Sequence, residues 1–142
     1  MNTPPRKSVV IVDDERSYTN LLTELLSEHL DCRIVPFTRP LDALAALPDL
    51  NPGVIVTDYF MPQLNGVEFI NQAALLAPGI PFVLVTGHPN GMINRDELSK
   101  LAPLKSILLK PFCWRKLRDE IVRLWPESGV ALLKGEAHAA SA

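Results

Sequence analysis

Four short apolar runs punctuate the chain, and each ends on a polar or charged residue. Val9-Val10-Ile11-Val12 runs into Asp13-Asp14, and Val54-Ile55-Val56-Thr57 runs into Asp58. Phe82-Val83-Leu84-Val85 stops at Thr86, and Ile107-Leu108-Leu109 stops at Lys110-Pro111. Runs of this length and Val/Ile content predict strands of a parallel sheet, buried on both faces. Between them the apolar spacing becomes helical. Tyr18, Leu21, Leu22, Leu25, Leu26 and Leu30 share one face, with Asn20, Glu24 and Glu28 opposite. Cys32 to Phe37 reads as a second, weaker strand, Pro40 opens a short helix through Leu47, and Asn51-Pro52-Gly53 forms a turn before the central strand. Asn65-Gly66 precedes Val67, Ile70 and Ala74, the apolar face of a third helix that Ala77-Pro78-Gly79 stops. A fourth helix, weakly patterned by Met92, Ile93, Leu98 and Leu101, is expected to be short or mobile. Trp114, Leu117, Ile121, Leu124 and Trp125 mark the last helix, which Pro126 closes. A β-α unit repeated five times predicts an α/β fold with right-handed crossovers and helices on both faces of the sheet.

Composition narrows the class. At 142 residues and 47% hydrophobic content the chain is expected to form one globular domain. No apolar stretch reaches the roughly 18 residues of a membrane span, and Met1 to Lys7 lacks a secretory signal's apolar segment, so a cytoplasmic location is expected. A formal charge of −2 with mixed signs gives no electrostatic case for nucleic-acid binding. Cys32 and Cys113 read as buried free thiols. Residues 126–142 read as a flexible tail with little core of its own, in which the apolar run Val130 to Leu133 is incidental. The expected organisation is an extension at 1–7, a domain at 8–125 and that tail.

Ligands of an open parallel sheet bind beyond the carboxyl ends of its strands, so the polar residues that end the runs converge on one crevice. Asp13, Asp14 and Asp58 would repel one another there unless a cation sat among them. Hard oxygen ligands with open water positions suit Mg²⁺, which also accepts phosphate oxygens. One of the carboxylates is a candidate nucleophile, Thr86 supplies a hydroxyl donor, and Lys110 supplies a point charge. Taken singly, acidic residues after a strand cap helices, a terminal Thr is structural and a Lys points into solvent. Their shared place at one end of four different strands favours the joint reading.

These residues sit in motifs that resemble the receiver domain of bacterial two-component response regulators. Val10-Ile11-Val12-Asp13-Asp14-Glu15 resembles the family's acidic pair, and Thr57-Asp58-Tyr59-Phe60-Met61-Pro62 with Asn65-Gly66 its phosphoacceptor motif. Val85-Thr86-Gly87 and Leu109-Lys110-Pro111-Phe112 match the remaining signatures, and the likeness covers residues 8–125. The resemblance implies a flavodoxin-like five-stranded parallel sheet of order 2-1-3-4-5. It implies that Asp58 accepts a phosphoryl group from a histidine of a sensor kinase or phosphotransfer protein. Asp14, Asp58 and the backbone carbonyl of Phe60 would bind Mg²⁺ directly, with Asp13 acting through a metal-bound water. Thr86 and Lys110 would contact the phosphoryl oxygens, across a cis Lys110-Pro111 peptide. Such a domain is a switch rather than a metabolic enzyme, and partners or a second copy would read the surface of the fourth helix, fifth strand and fifth helix.

The chain departs from the family at Ile107, where a switching Tyr or Phe is common. Ile107 is expected to stay packed in both states, and the signal is expected to run through Thr86 and the loop after it. His88 in that loop reads as a solvent-exposed residue rather than a pH-sensitive or catalytic group, His29 and His138 have no partners at metal-ligand spacing, and Trp114 and Trp125 read as core or helix-face residues. A haloacid-dehalogenase-type phosphatase would need an acid two residues after its nucleophile, where Phe60 stands. In a flavodoxin the first loop cradles phosphate, which Asp13-Asp14-Glu15 would repel. The remaining alternative is a receiver-like interaction module that works without phosphorylation.

Overall fold

The computed structural model describes residues 6–87, 95–126 and 132–134. In chain order the elements are β1 (Ser8–Val12), α1 (Arg16–His29), β2 (Arg33–Phe37), α2 (Pro40–Ala46), β3 (Pro52–Asp58), α3 (Gly66–Leu76), β4 (Phe82–Thr86), α4 (Arg95–Ser99), β5 (Leu104–Leu109) and α5 (Trp114–Leu124). All strand pairs are parallel, and the sheet order is β2-β1-β3-β4-β5. This is the flavodoxin-like doubly wound arrangement that the motifs imply. Its sheet order reverses direction after β1, which opens a crevice beyond the carboxyl ends of β1 and β3.

The central strands explain the apolar runs. Every residue of β1 and β4 is buried, as is β3 from Pro52 to Thr57. Side chains alternate across the sheet, so each strand feeds two cores. Val9, Ile11, Val54, Val56 and Val85 pack against Leu22, Leu26, Leu117 and Ile121 of α1 and α5. Val10, Val12, Ile55 and Phe82 pack against Ala43 and Leu44 of α2 and Phe69 and Ile70 of α3. At the start of α3, Asn65 and Glu68 form a capping box with two 2.9 Å bonds, which sets the helix directly after the loop that follows Asp58.

Several expectations are corrected by packing. The fourth apolar run is an edge strand, and only Leu108 of β5 is buried. Ile107 is 46% exposed and Leu109 is 47% exposed, so Ile107 is not packed as expected. The buried cluster on that face gathers Tyr59, Val67, Leu84 and Leu98 and leaves Ile107 outside. In α1, Leu21 is exposed while Thr19 takes a buried place, its hydroxyl donating to the Arg16 carbonyl at 2.9 Å. Pro52 and Gly53 belong to β3 rather than to a turn, which proline tolerates at a strand's first residue. Gly53 lies against Trp125, whose ring atoms stand 2.8 Å from where a Cβ would be. Cys32 precedes β2 and is half-buried; Cys113 is exposed, because it caps α5 from the loop. Met92 and Ile93 lie outside the described residues, as do Val130 and His138.

The apolar run expected to be incidental instead contacts the domain at residues 132–134. Leu132 is buried among the residues of the α1/α5 core. Leu133 forms an antiparallel bridge with Leu30, the Asp31 amide donates to the Leu132 carbonyl at 2.6 Å, and the Lys134 amide donates to the His29 carbonyl at 2.7 Å. Lys134 Nζ also donates to the Ser27 carbonyl at 3.1 Å. An ammonium and an amide thus serve carbonyls that the end of α1 leaves open. Leu132→Ala is therefore expected to lower unfolding stability by about 2 kcal/mol, the low end for a buried Leu. Urea denaturation measures it, and a loss below about 0.5 kcal/mol, the scatter of surface substitutions, would mean the segment contributes no packing.

Candidate functional site

The parallel register brings Asp13, Asp14 and Asp58 to one edge of the sheet. Val12 aligns with Thr57, so the next residues, Asp13 and Asp58, emerge side by side. One carboxylate oxygen from each of Asp13, Asp14 and Asp58 lies within 4.8 Å of the others. Asp13 is buried, Asp58 is half-buried and Asp14 is exposed. The Asp13 carboxylate accepts from the Glu15 amide at 3.0 Å, and Asp58 Oδ1 accepts from the Tyr59 amide at 2.8 Å. Both bonds fix the carboxylates from their own chain, a local constraint that holds them inward.

Lys110 comes from the far side of the sheet. Its Nζ lies 2.9 Å from Asp13 Oδ2 and 3.8 Å from Asp58 Oδ2. The Lys110 backbone amide donates to the Thr86 carbonyl at 2.8 Å, and the Lys110-Pro111 peptide is cis, as the resemblance implies. Thr86 is the buried last residue of β4, one position beyond Val85, the register partner of Asp58. Phe60 lies two residues past Asp58 in the loop before α3, its ring edge-on to Tyr59 at 4.7 Å. That loop leaves no room behind it. A Cβ on Gly66 would stand 2.9 Å from the Asp58 carbonyl, while the Gly66 amide donates to the Tyr59 carbonyl at 2.7 Å.

Charge crowding is visible in Asp58. Burial and the Asp13 charge push its carboxyl from 3.8 up to about 6, against the lowering effect of Lys110. A single ammonium does not offset three carboxylates. The donor set is all hard oxygen, partly open to solvent at Asp14, and so it fits a divalent cation of the oxygen-seeking kind.

One neighbour of the site reads in the sequence only as part of a helix's apolar face. Tyr18, in the first turn of α1, lies with its ring centre 4.5 Å from Lys110 Nζ. A signal for it exists in the spacing, because a residue four positions after Asp14 falls in the first turn of the helix that follows β1, beside the strand ends. Trp114 faces His29 at 4.5 Å and lies under the guanidinium groups of Arg115 and Arg118, while Trp125 covers Gly53, so both tryptophans serve helix packing. His88 falls outside the described residues.

Comparison with known proteins agrees with this geometry. The family model of the response regulator receiver domain matches residues 9–122. A protein-glutamate methylesterase/protein-glutamine glutaminase of Rhizobium johnstonii is 32% identical over 106 residues, which is 74% of this chain and 28% of that protein. This chain therefore spans little more than a quarter of that relative. Among solved structures, an uncharacterized protein from Neptuniibacter caesariensis is 31% identical with a TM-score of 0.73, covering 83% of this chain and 88% of that one. The Vibrio cholerae chemotaxis protein CheY4 shares the fold at 22% identity, with a TM-score of 0.74 and coverage of 83% and 98%. The chain belongs to the response regulator receiver domain family of two-component systems.

Proposed function

We propose that this protein is a phosphoacceptor switch in which Asp58 takes a phosphoryl group from a phosphohistidine of a sensor kinase or phosphotransfer protein. The observation that carries the reading is the approach of three carboxylates within 4.8 Å and of Lys110 Nζ to 3.8 Å from Asp58. An Asp58 oxygen forms the new bond to phosphorus as the nitrogen–phosphorus bond of the donor breaks, and the leaving imidazole retains the electron pair. Asp14, Asp58 and the Phe60 carbonyl would hold Mg²⁺, with Asp13 acting through water. Bound there, the cation screens the repulsion between carboxylate and phosphoryl oxygens. Lys110 neutralises phosphoryl charge from the other side, and Thr86 donates its hydroxyl once that charge arrives.

The functional unit in this reading is residues 8–125, with 1–7 and 126–142 flanking it and the 132–134 segment fastened to α1. It is a switch in the cytoplasm, with no metabolic substrate and no nucleic-acid contact. Without an aromatic at position 107, the signal runs from Thr86 into the surface of α4, β5 and α5, where a partner or second copy reads it. Exposed Ile107 and Leu109 contribute apolar area to that surface.

Intact mass after incubation with phosphoramidate tests the proposal. One phosphoryl group should appear with Mg²⁺ and none after chelation, and a protein inert under both conditions would refute it. Asp14→Ala should weaken Mg²⁺ binding by about tenfold, because it deletes one of few charged ligands. The fold should persist, since removing a like charge relieves the crowded apo site. Mg²⁺ titration of tryptophan fluorescence measures this, and unchanged affinity would remove Asp14 from the ligand set.

A further inference from the structure

Lys110 is held by more than its two carboxylates. Its ammonium lies 2.9 Å from Asp13, 3.8 Å from Asp58 and 4.5 Å from the centre of the Tyr18 ring. The lysine side chain is 24% exposed and that of Asp13 only 5%, so the three contacts are partly shielded from water. A cation over the face of an aromatic ring is attracted by the ring's quadrupole, more strongly where water is excluded. Tyr18 itself is carried by α1 and packed against the α1/α5 core, so its ring position follows from the helix rather than from the loops.

We infer that Tyr18 is a positioning residue that keeps the Lys110 ammonium aimed at the acceptor carboxylate while its ionic partners change. This role rests on the proposed phosphoacceptor function. Asp13 and Asp58 are shared between Lys110 and whatever cation occupies the site, so their pull on the ammonium falls when a divalent ion binds. The ring is uncharged and is not a ligand for such an ion, so its attraction persists. An aromatic face also offers no single acceptor point. Nζ can pass from Asp13 toward phosphoryl oxygens on Asp58 while remaining over the ring, a distance set by the 2.9 and 3.8 Å contacts already present. The hydroxyl is not required, and burial with the charges of Asp13, Asp58 and Glu15 keeps the phenol protonated well above the usual range.

Two substitutions separate the ring from the hydroxyl and from mere bulk. Tyr18→Phe keeps the face, whereas Tyr18→Leu keeps apolar volume and removes it. With phosphoramidate and saturating Mg²⁺, the maximal phosphorylation rate should fall about three- to tenfold in Tyr18→Leu and stay within about twofold in Tyr18→Phe. Independently of any phosphoryl chemistry, the Lys110 Hε and Hζ resonances should show an upfield ring-current shift. That shift should survive Mg²⁺ addition in the parent and in Tyr18→Phe, and vanish in Tyr18→Leu. Equal rates in parent and Tyr18→Leu, or loss in Tyr18→Phe as large as in Tyr18→Leu, overturns the inference. So does a Lys110 spectrum indifferent to the ring. If Tyr18→Leu fails to fold by circular dichroism, Tyr18→Met takes its place with the same criteria. A parent protein that takes up no phosphoryl group at all refutes the phosphoacceptor reading, and the resonance measurement then decides the ring contact by itself.

Discussion

Phosphoramidate with Mg²⁺ is expected to add one phosphoryl group to the parent chain and none to Asp58→Asn. The amide has the shape of the carboxylate but neither its charge nor a nucleophilic oxygen anion, so the attack on phosphorus is lost outright. No other carboxylate of the cluster substitutes for it. Asp13 is buried and engaged by Lys110 at 2.9 Å, and Asp14 is exposed on the loop rather than at the end of a central strand. Asp58, at the end of central strand β3, faces the other carboxylates and Lys110 without the close 2.9 Å ion pair that engages Asp13. Intact mass reads the result directly, and peptide mapping after borohydride trapping locates the group. A fully phosphorylated Asp58→Asn protein would end the assignment.

The second large effect is on stability and depends on pH. Asp58 has its carboxyl raised from 3.8 to about 6 by burial, by Asp13 and by Asp14, with Lys110 opposing. The folded protein therefore holds this proton more tightly than the unfolded chain does. Stability from the proton is fully present below about pH 4 and is lost as pH rises through about 6. At 1.36 kcal/mol per unit, the gap between 3.8 and about 6 has a ceiling of about 3 kcal/mol. Solvent screening at a half-buried group brings the expected effect down to about 1–2 kcal/mol. Metal-free Asp58→Asn should thus be more stable than the parent at pH 7.5 by that amount, and lose the advantage near pH 4. Mg²⁺ should restore the parent at pH 7.5 by binding only the folded state. Urea midpoints at the two pH values test it, and an Asp58→Asn gain that is the same at both would exclude the Asp58 carboxylate as its source.

Both effects have the same origin. The clustered carboxylates and Lys110 are held together by a sheet whose apolar cores lie on its two faces. Val9, Ile11, Val54, Val56, Val83 and Val85 fill one core of apolar side chains alone. That separation lets the crevice hold three mutually repelling carboxylates. The local devices that hold them are small: a hydrogen bond donated by a backbone amide to each of Asp13 and Asp58, and a glycine at position 66 that lets α3 approach the Asp58 carbonyl.

How much of this the sequence alone determined follows from how local each signal is. Period and run length placed β1, β3 and β4, because strands covered on both faces must be apolar at every position. The residue that ends each run then placed Asp13, Asp14, Asp58, Thr86 and Lys110 at one end of the sheet, since parallel strands all point their carboxyl ends the same way. Other features depended on contacts between distant segments. The run at Ile107 looked like the other three, yet β5 lies at the sheet edge, and only the strand order decides which run has a neighbour on one side alone. Cys113 looked like a core thiol, but its place at the cap of α5 leaves it in solvent. Leu132 looked incidental because nothing near it in sequence repeats its pattern; its partners in the fold, near Leu30 and Asp31, lie about a hundred residues away. Tyr18 read as one more apolar position of α1, and only the fold brings Lys110 from the opposite end of the chain over its ring. Periodicity reports which face of an element is buried, whereas the identity of what covers that face is a property of the packed chain.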